Sequence, residues 1–158
     1  MRFSIYAQTT RLDHICQGIY NCDMPKKEKP FALDLFFRAL ADPTRLRLLN
    51  LVADREICVC YFVQILGISQ PKISRHLAYL RRAGIVAARR QGRWMHYRLV
   101  APQDPVASAI LKETLAHLRQ RPDRRRELAA LDSACCKPSE FELPEKAPQP
   151  SIVSIAIR

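Results

Sequence analysis

The stretch Ser69-Gln70-Pro71-Lys72-Ile73-Ser74-Arg75-His76-Leu77-Ala78-Tyr79-Leu80-Arg81-Arg82-Ala83-Gly84 decides the fold. Ile73, Leu77 and Leu80 stand at i, i+4 and i+7, so a helix places them on one apolar stripe. Ser69 is a good N-cap residue, and Gly84 is suited to end the helix. With the stripe turned inward, the opposite face presents Lys72, Arg75, His76, Tyr79 and Arg82, a set able to meet phosphates and base edges. Ser69 and Gln70 lie at the helix N-terminus, where backbone N–H groups favour a phosphate. His76 and Tyr79 have packing within the domain as an equal alternative.

Working outward, the charge stays one-sided. From Ser69 to Val100 there are eight cations (Lys72, Arg75, Arg81, Arg82, Arg89, Arg90, Arg93 and Arg98) and no Asp or Glu. An acid-free block of this length inside a folded core reads as a localised positive face for a polyanion. Upstream, a short helical pattern runs from about Cys58 to Leu66 and is closed by Gly67. Downstream the period changes to that of strands: Ile85 to Arg90 and Trp94 to Leu99 form a hairpin through Gln91-Gly92. Arg89, Arg90 and Arg93 surround that turn, within reach of an adjacent minor groove or phosphate, and Trp94 is assigned to the core. Short helix, turn, second helix and basic hairpin is the order of a winged helix-turn-helix, so the fold class is mainly α with a small β-hairpin wing.

Farther out, Leu33, Phe36, Phe37 and Leu40 mark a helix that stops at Ala41-Asp42-Pro43. Asp42 can cap the next helix with Pro43 at its first position, and Leu46, Leu49 and Val52 point inward to about Asp54. A fifth helix runs from Pro102 or Asp104 to Arg119, with Val106, Ile110, Leu111, Leu115 and Leu118 on its apolar side. An Arg-rich, partly helical piece continues to Ser133. Three regions result: a flexible lead over 1–30, the folded domain over 31–121, and over 122–158 an Arg-rich segment, the pair Cys135-Cys136 and a proline-rich tail. Within that tail the run 151–157 is apolar enough to dock, at a place the sequence does not give.

The whole chain of 158 residues is 48% hydrophobic, enough to bury a core, and 26 Lys and Arg against 15 Asp and Glu give a net charge of +11. No apolar run reaches membrane-span length, and the N-terminus lacks the apolar core of a secretory signal, so a cytoplasmic protein is expected. In a reducing compartment the six cysteines read as metal ligands or redox centres rather than a disulfide framework. No Gly-rich phosphate loop, nucleophile elbow, paired catalytic carboxylates or Cys-x-x-Cys is present, so no enzyme is expected.

Four segments together, Ala41-Asp42-Pro43-Thr44-Arg45, Ile57-Cys58-Val59-Cys60, Ser69 to Leu77, and Arg90 to Leu99, resemble the ArsR/SmtB metalloregulators, specifically the arsenical-resistance repressor branch. The resemblance covers about Phe31 to Arg119. It implies a homodimer built on the first and last helices of the domain, bound to a palindromic double-stranded operator and released by a metalloid, with no membrane and no other protein partner. Mapped on this chain, the DNA-contacting set is Ser69, Gln70, Lys72, Ser74, Arg75, His76 and Tyr79 with Arg89, Arg90 and Arg93 of the wing.

The resemblance also implies a sensing site, at Cys58 and Cys60. Here the chain departs from its relatives, because Tyr61 stands where an Asp is usual and Val63 where the third thiol of the best-known arsenic sensors stands. The missing ligand is expected from Cys135-Cys136, giving As(III), or the similar Sb(III), a three-thiolate site; soft ions prefer sulfur. The alternative is a Cd(II), Pb(II) or Zn(II) site completed by Cys16 and Cys22, against which Met24-Pro25 looks like a natural translation start. A pure thiol redox switch is a further alternative. The last-helix metal site of the family is not expected, because His117 has no histidine partner there. If Cys58 and Cys60 both lay in a regular helix they would point about 200° apart, so ion binding is expected to unwind that turn.

Overall fold

The computed structural model describes residues 31–136 and 143–153. The elements run α1 (Leu33–Leu40), α2 (Pro43–Val52), β1 (Arg55–Cys58), α3 (Val59–Leu66), α4 (Gln70–Arg82), β2 (Val86–Gln91), β3 (Trp94–Leu99), α5 (Pro105–Gln120), α6 (Pro122–Cys136) and β4 (Ser151–Ile152). Helices dominate, and the small antiparallel sheet has the strand order β2-β3-β1-β4. This is the winged helix-turn-helix arrangement: α3 packs on α4, and the β2-β3 hairpin follows α4 directly.

Local chemistry accounts for the boundaries. Asp42 and Asp104 are extended residues whose carboxylates accept the N–H groups of Arg45 at 2.9 Å and Ala107 at 2.8 Å, with Pro43 and Pro105 opening α2 and α5. Ser69 holds the N-cap position of α4 through its carbonyl, which accepts the N–H groups of Lys72 and Ile73; its hydroxyl makes no capping bond. Gly67 ends α3 at φ +63°, a left-handed conformation that a Cβ would disfavour. In the hairpin Gln91 pairs with Trp94, so the tight turn is Gly92-Arg93, one residue later than Gln91-Gly92, and Arg93 sits at the wing tip.

The stripe of α4 forms the middle of the core. Ile73, Leu77 and Leu80 are each 0% exposed and share one apolar cluster with Leu48, Leu49, Ile57, Phe62 and Leu99. Truncating Leu77 to Ala would cost about 2–5 kcal/mol. The Arg-rich segment is fully helical and turns part of its charge inward: Glu127 pairs with Arg47 at 2.6 Å and Arg124 at 3.0 Å, and Asp132 with Arg55 at 2.5 Å. Leu131 and Ala134 are buried beside them, which seats α6 on α2, α3 and α5.

Cys58 and Trp94 depart from their expected places. Cys58 closes a strand and only precedes α3, because Ile57 and Cys58 pair with Tyr97 and His96 of β3. Leu33, Phe37 and Val106 are 40%, 47% and 59% exposed, on faces of α1 and α5 that remain open among the described residues. Trp94 is half-buried, because it sits beside the wing tip. The tail residues Ser151–Ile152 dock as a fourth strand on β1; the rest of the apolar run and the lead over 1–30 lie outside the described residues.

Candidate nucleic-acid interface and thiol site

A cleft of about 480 Å³ opens between the N-terminal half of α4 and the start of α2, lined by Thr44, Arg45, Ile68, Lys72, Arg75, His76 and Tyr79. Four of the α4 residues expected to meet DNA therefore border one basic hollow. Lys72 and Arg75 are exposed, while His76 and Tyr79 are half-buried at its walls. Arg45 is fixed in place: it donates to the carbonyls of Ala39 at 2.8 Å and Arg38 at 2.6 Å and lies 4.4 Å above the Tyr79 ring. His76 Nδ1 is 3.5 Å from the Asp42 carboxylate. Ser69 and Gln70 are exposed at the N-terminus of α4, and Ser74 is half-buried. Thr44 and Arg45 escape a reading of α4 alone, because only the fold brings the α2 N-terminus alongside.

The wing arginines are arranged differently. Arg89 packs its guanidinium on Glu56, with Nε at 2.8 Å and Nη2 at 2.6 Å from Oε1. Arg93 lies 4.7 Å over the Trp94 ring and donates to the Glu145 carbonyl at 2.9 Å. Arg90 donates to the Gly92 carbonyl at 3.0 Å. Glu56 was missed as a counter-charge because it lies outside the acid-free block and arrives through the β1-β3 pairing. His96, buried beside Glu56, has its pKa lowered, first by burial and then by the Arg89 charge.

At the opposite end of the recognition unit, Cys58 and Cys60 are free thiols whose side chains interact directly. Cys60 donates to the Cys58 sulfur, which lowers the Cys58 pKa to about 7 against the opposing effect of its burial. Backbone N–H groups of Cys60, Val59 and Met95 face the same sulfur, consistent with a thiol at a helix N-terminus. The Cys60 thiol is pushed up, chiefly because it keeps the shared proton, with burial and the Cys58 charge adding to it. The two sulfurs thus meet without unwinding of α3. The expected 200° divergence fails because Cys58 has extended φ and ψ of −70° and 146°, so only Cys60 obeys helical geometry.

Cys135, on α6, packs at the edge of the core near Tyr61, whose pKa is raised to about 12 by burial first and then by the charges of Cys135, Cys60 and Cys58. The Tyr61 hydroxyl is buried and makes no hydrogen bond. Cys136 ends α6. Among the described residues no group of three His, Cys, Asp or Glu side chains is gathered to hold a metal ion. Two thiols are thus brought together, and Cys135 lies near Tyr61 of their helix. Cys16 and Cys22 lie outside the described residues. His117 is exposed on α5. No helix among the described residues is long and apolar enough to cross a membrane.

Comparison with known proteins bears on the same region. The family model for the bacterial regulatory proteins of the arsR family matches residues 42–88, from the cap of α2 into β2. The chain is 49% identical over 79 residues to the arsenic resistance transcriptional regulator ArsR1 of Pseudomonas putida, covering 49% of this chain and 62% of that protein. It is 50% identical over 79 residues to the arsenical resistance operon repressor of Escherichia coli, covering 49% and 67%. With the arsenic resistance transcriptional regulator ArsR2 of Pseudomonas putida the match extends to 108 residues at 41% identity, 63% of this chain and 94% of that protein. The first of these relatives is thus spanned over less than two thirds of its length, and the third almost completely. With the cap, the thiol pair, the recognition helix and the start of the wing all inside the matched segment, the chain belongs to the arsR family of bacterial regulatory proteins.

Proposed function

We propose that the protein is a transcriptional repressor that binds operator DNA as a homodimer and is released when As(III), or the similar Sb(III), binds Cys58 and Cys60. The observation that carries this reading is the meeting of the two thiols at the junction of β1 and α3, where the side chain of Cys60 hydrogen-bonds that of Cys58. A soft, thiophilic ion finds there a thiolate and a second sulfur already adjacent. The relatives named for arsenic resistance supply the choice of ion.

The DNA-contacting set is Ser69, Gln70, Lys72, Ser74, Arg75, His76 and Tyr79 of α4 with Arg89, Arg90 and Arg93 of the wing. The dimer uses α1 and α5, whose exposed Leu33, Phe37 and Val106 support a face that a second copy covers. Cys135 or Cys136 completes a three-thiolate site by moving toward α3. Because α3 carries Cys60 and packs on α4, drawing a third sulfur in tilts the recognition helix. Cys58 also pairs with His96 of β3, so the same event reaches the root of the wing.

The test is fluorescence anisotropy of the reduced protein on DNA from its own promoter, titrated with arsenite and separately with cadmium. Arsenite should release the wild type, fail on Cys58→Ser/Cys60→Ser, and fail or weaken greatly on Cys135→Ser/Cys136→Ser. Operator and arsenite must also oppose each other reciprocally. Equal arsenite affinity for free and DNA-bound protein would sink the mechanism, and release by cadmium alone, unaffected by the C-terminal double variant, would move the site to the N-terminal thiols.

A further inference from the structure

Residues 143–153 cross several parts of the fold in a short length. Leu143 packs against the core, and a turn closed by the Ala147 N–H on the Pro144 carbonyl at 3.0 Å leads onward. The Glu145 carbonyl accepts Nη2 of Arg93 at 2.9 Å. Gln149 Nε2 donates to the Cys135 carbonyl at 3.2 Å. Ser151 and Ile152 then pair with Glu56 and Arg55, and the Val153 N–H donates to the Asp54 carbonyl at 2.9 Å. The segment thereby covers the outer edge of β1, which would otherwise expose unpaired backbone groups. Pro144, Pro148 and Pro150 restrict its alternatives and favour an extended path.

The consequence falls on Arg93. It occupies the wing tip, its guanidinium face rests on Trp94, and an edge is bound to Glu145. That bond takes one of its five N–H donors and, with the ring contact, fixes where the guanidinium sits. We propose that residues 143–153 form an autoinhibitory strap that holds the wing tip in the DNA-free protein, and that operator binding requires the strap to release Arg93. This rests on the DNA-binding reading above. Releasing one charge-assisted hydrogen bond beforehand should tighten DNA binding about three- to tenfold.

The full chain permits a direct test, because Trp94 is its only tryptophan and reports on the wing tip without DNA. Ser151→Pro/Val153→Pro removes the strand pairing and the Val153 donor, and Gln149→Ala independently removes the contact to Cys135. In the free protein both variants should change Trp94 emission in the direction that Arg93→Ala does. On promoter DNA both should bind about three- to tenfold more tightly, and adding Arg93→Ala should erase the gain. Unchanged emission, unchanged or weaker DNA affinity in both variants, or a gain that survives Arg93→Ala each overturns the strap. If the wild type binds no DNA at all, the repressor reading falls, and the Trp94 emission then decides whether the tail holds the wing tip.

Discussion

On α4, Lys72 and Arg75 extend into solvent from a helix anchored by Ile73, Leu77 and Leu80, whereas on the wing Arg89 lies against Glu56 and Arg93 between Trp94 and the tail. Both regions come from one acid-free block and carry cations of the same kind. They differ in what the fold brings to them: α2 offers α4 a helix start and a fixed arginine, while β1 and the tail offer the wing a carboxylate and a carbonyl. Charge counted along a chain therefore measures potential for binding a polyanion, and the charge available depends on partners from elsewhere in the sequence.

The sharpest way to break this comparison is to remove charge from each region. Lys72→Ala/Arg75→Ala should lower operator affinity about a hundredfold and reduce the salt slope by about two. Arg89→Ala/Arg90→Ala should cost only about fivefold, because one of the two is already neutralised by Glu56. Anisotropy titrations at several salt concentrations check both, and the reverse ranking would refute the contrast. A smaller effect comes from freeing the wing: Glu56→Gln should tighten DNA binding several-fold while lowering stability by no more than about 1 kcal/mol in urea, since the carboxylate is nearly buried but its Arg89 partner is 55% exposed and screened by solvent.

The thiol pair gives a milder prediction at the root of the wing. Thiolate absorbance near 240 nm should show one step at about pH 7, lost in Cys58→Ser and moved upward in Cys60→Ala, which lacks the donor. The sign for stability follows. Cys58, depressed in the folded state, stabilises above the ordinary thiol range, and that gain is lost as pH falls through about 7. Cys60, raised in the folded state, contributes below the ordinary thiol range and loses its contribution as pH rises. Stability attributable to the pair should therefore climb from pH 7 toward 9 and decline beyond, and urea midpoints of wild type compared with Cys58→Ser/Cys60→Ser measure it.

The smallest effect concerns His76, which lies 3.5 Å from Asp42 at the wall of the α4 cleft. His76→Gln should change operator affinity about threefold or less, against the much larger loss from Arg75, because its position at the cleft wall adds at most one weak contact. A loss as large as that of Arg75→Ala would make the histidine a principal reader.

Much of this molecule was legible along the chain because its signals are local. The i, i+4, i+7 stripe, Asp42 before Pro43, Asp104 before Pro105 and Gly67 after Leu66 depend on backbone geometry within a few residues, and each acts in the structure as those rules dictate. The thiols Cys58 and Cys60 were visible as a motif. Their convergence was not, since it follows from Cys58 pairing with His96 of β3, a contact spanning 38 positions that starts the helix one residue later than its apolar pattern suggests. Glu56 opposite Arg89, Glu127 between Arg47 and Arg124, and the tail on β1 likewise join residues far apart in the chain. The sequence by itself determined the helices, their caps, the hairpin and the sign of the charge, because short-range sterics and hydrogen bonding suffice for those. Only the tertiary structure decided which arginines stand exposed, how the two thiols meet and where the tail lies, because each depends on desolvation and on partners that folding brings from distant positions.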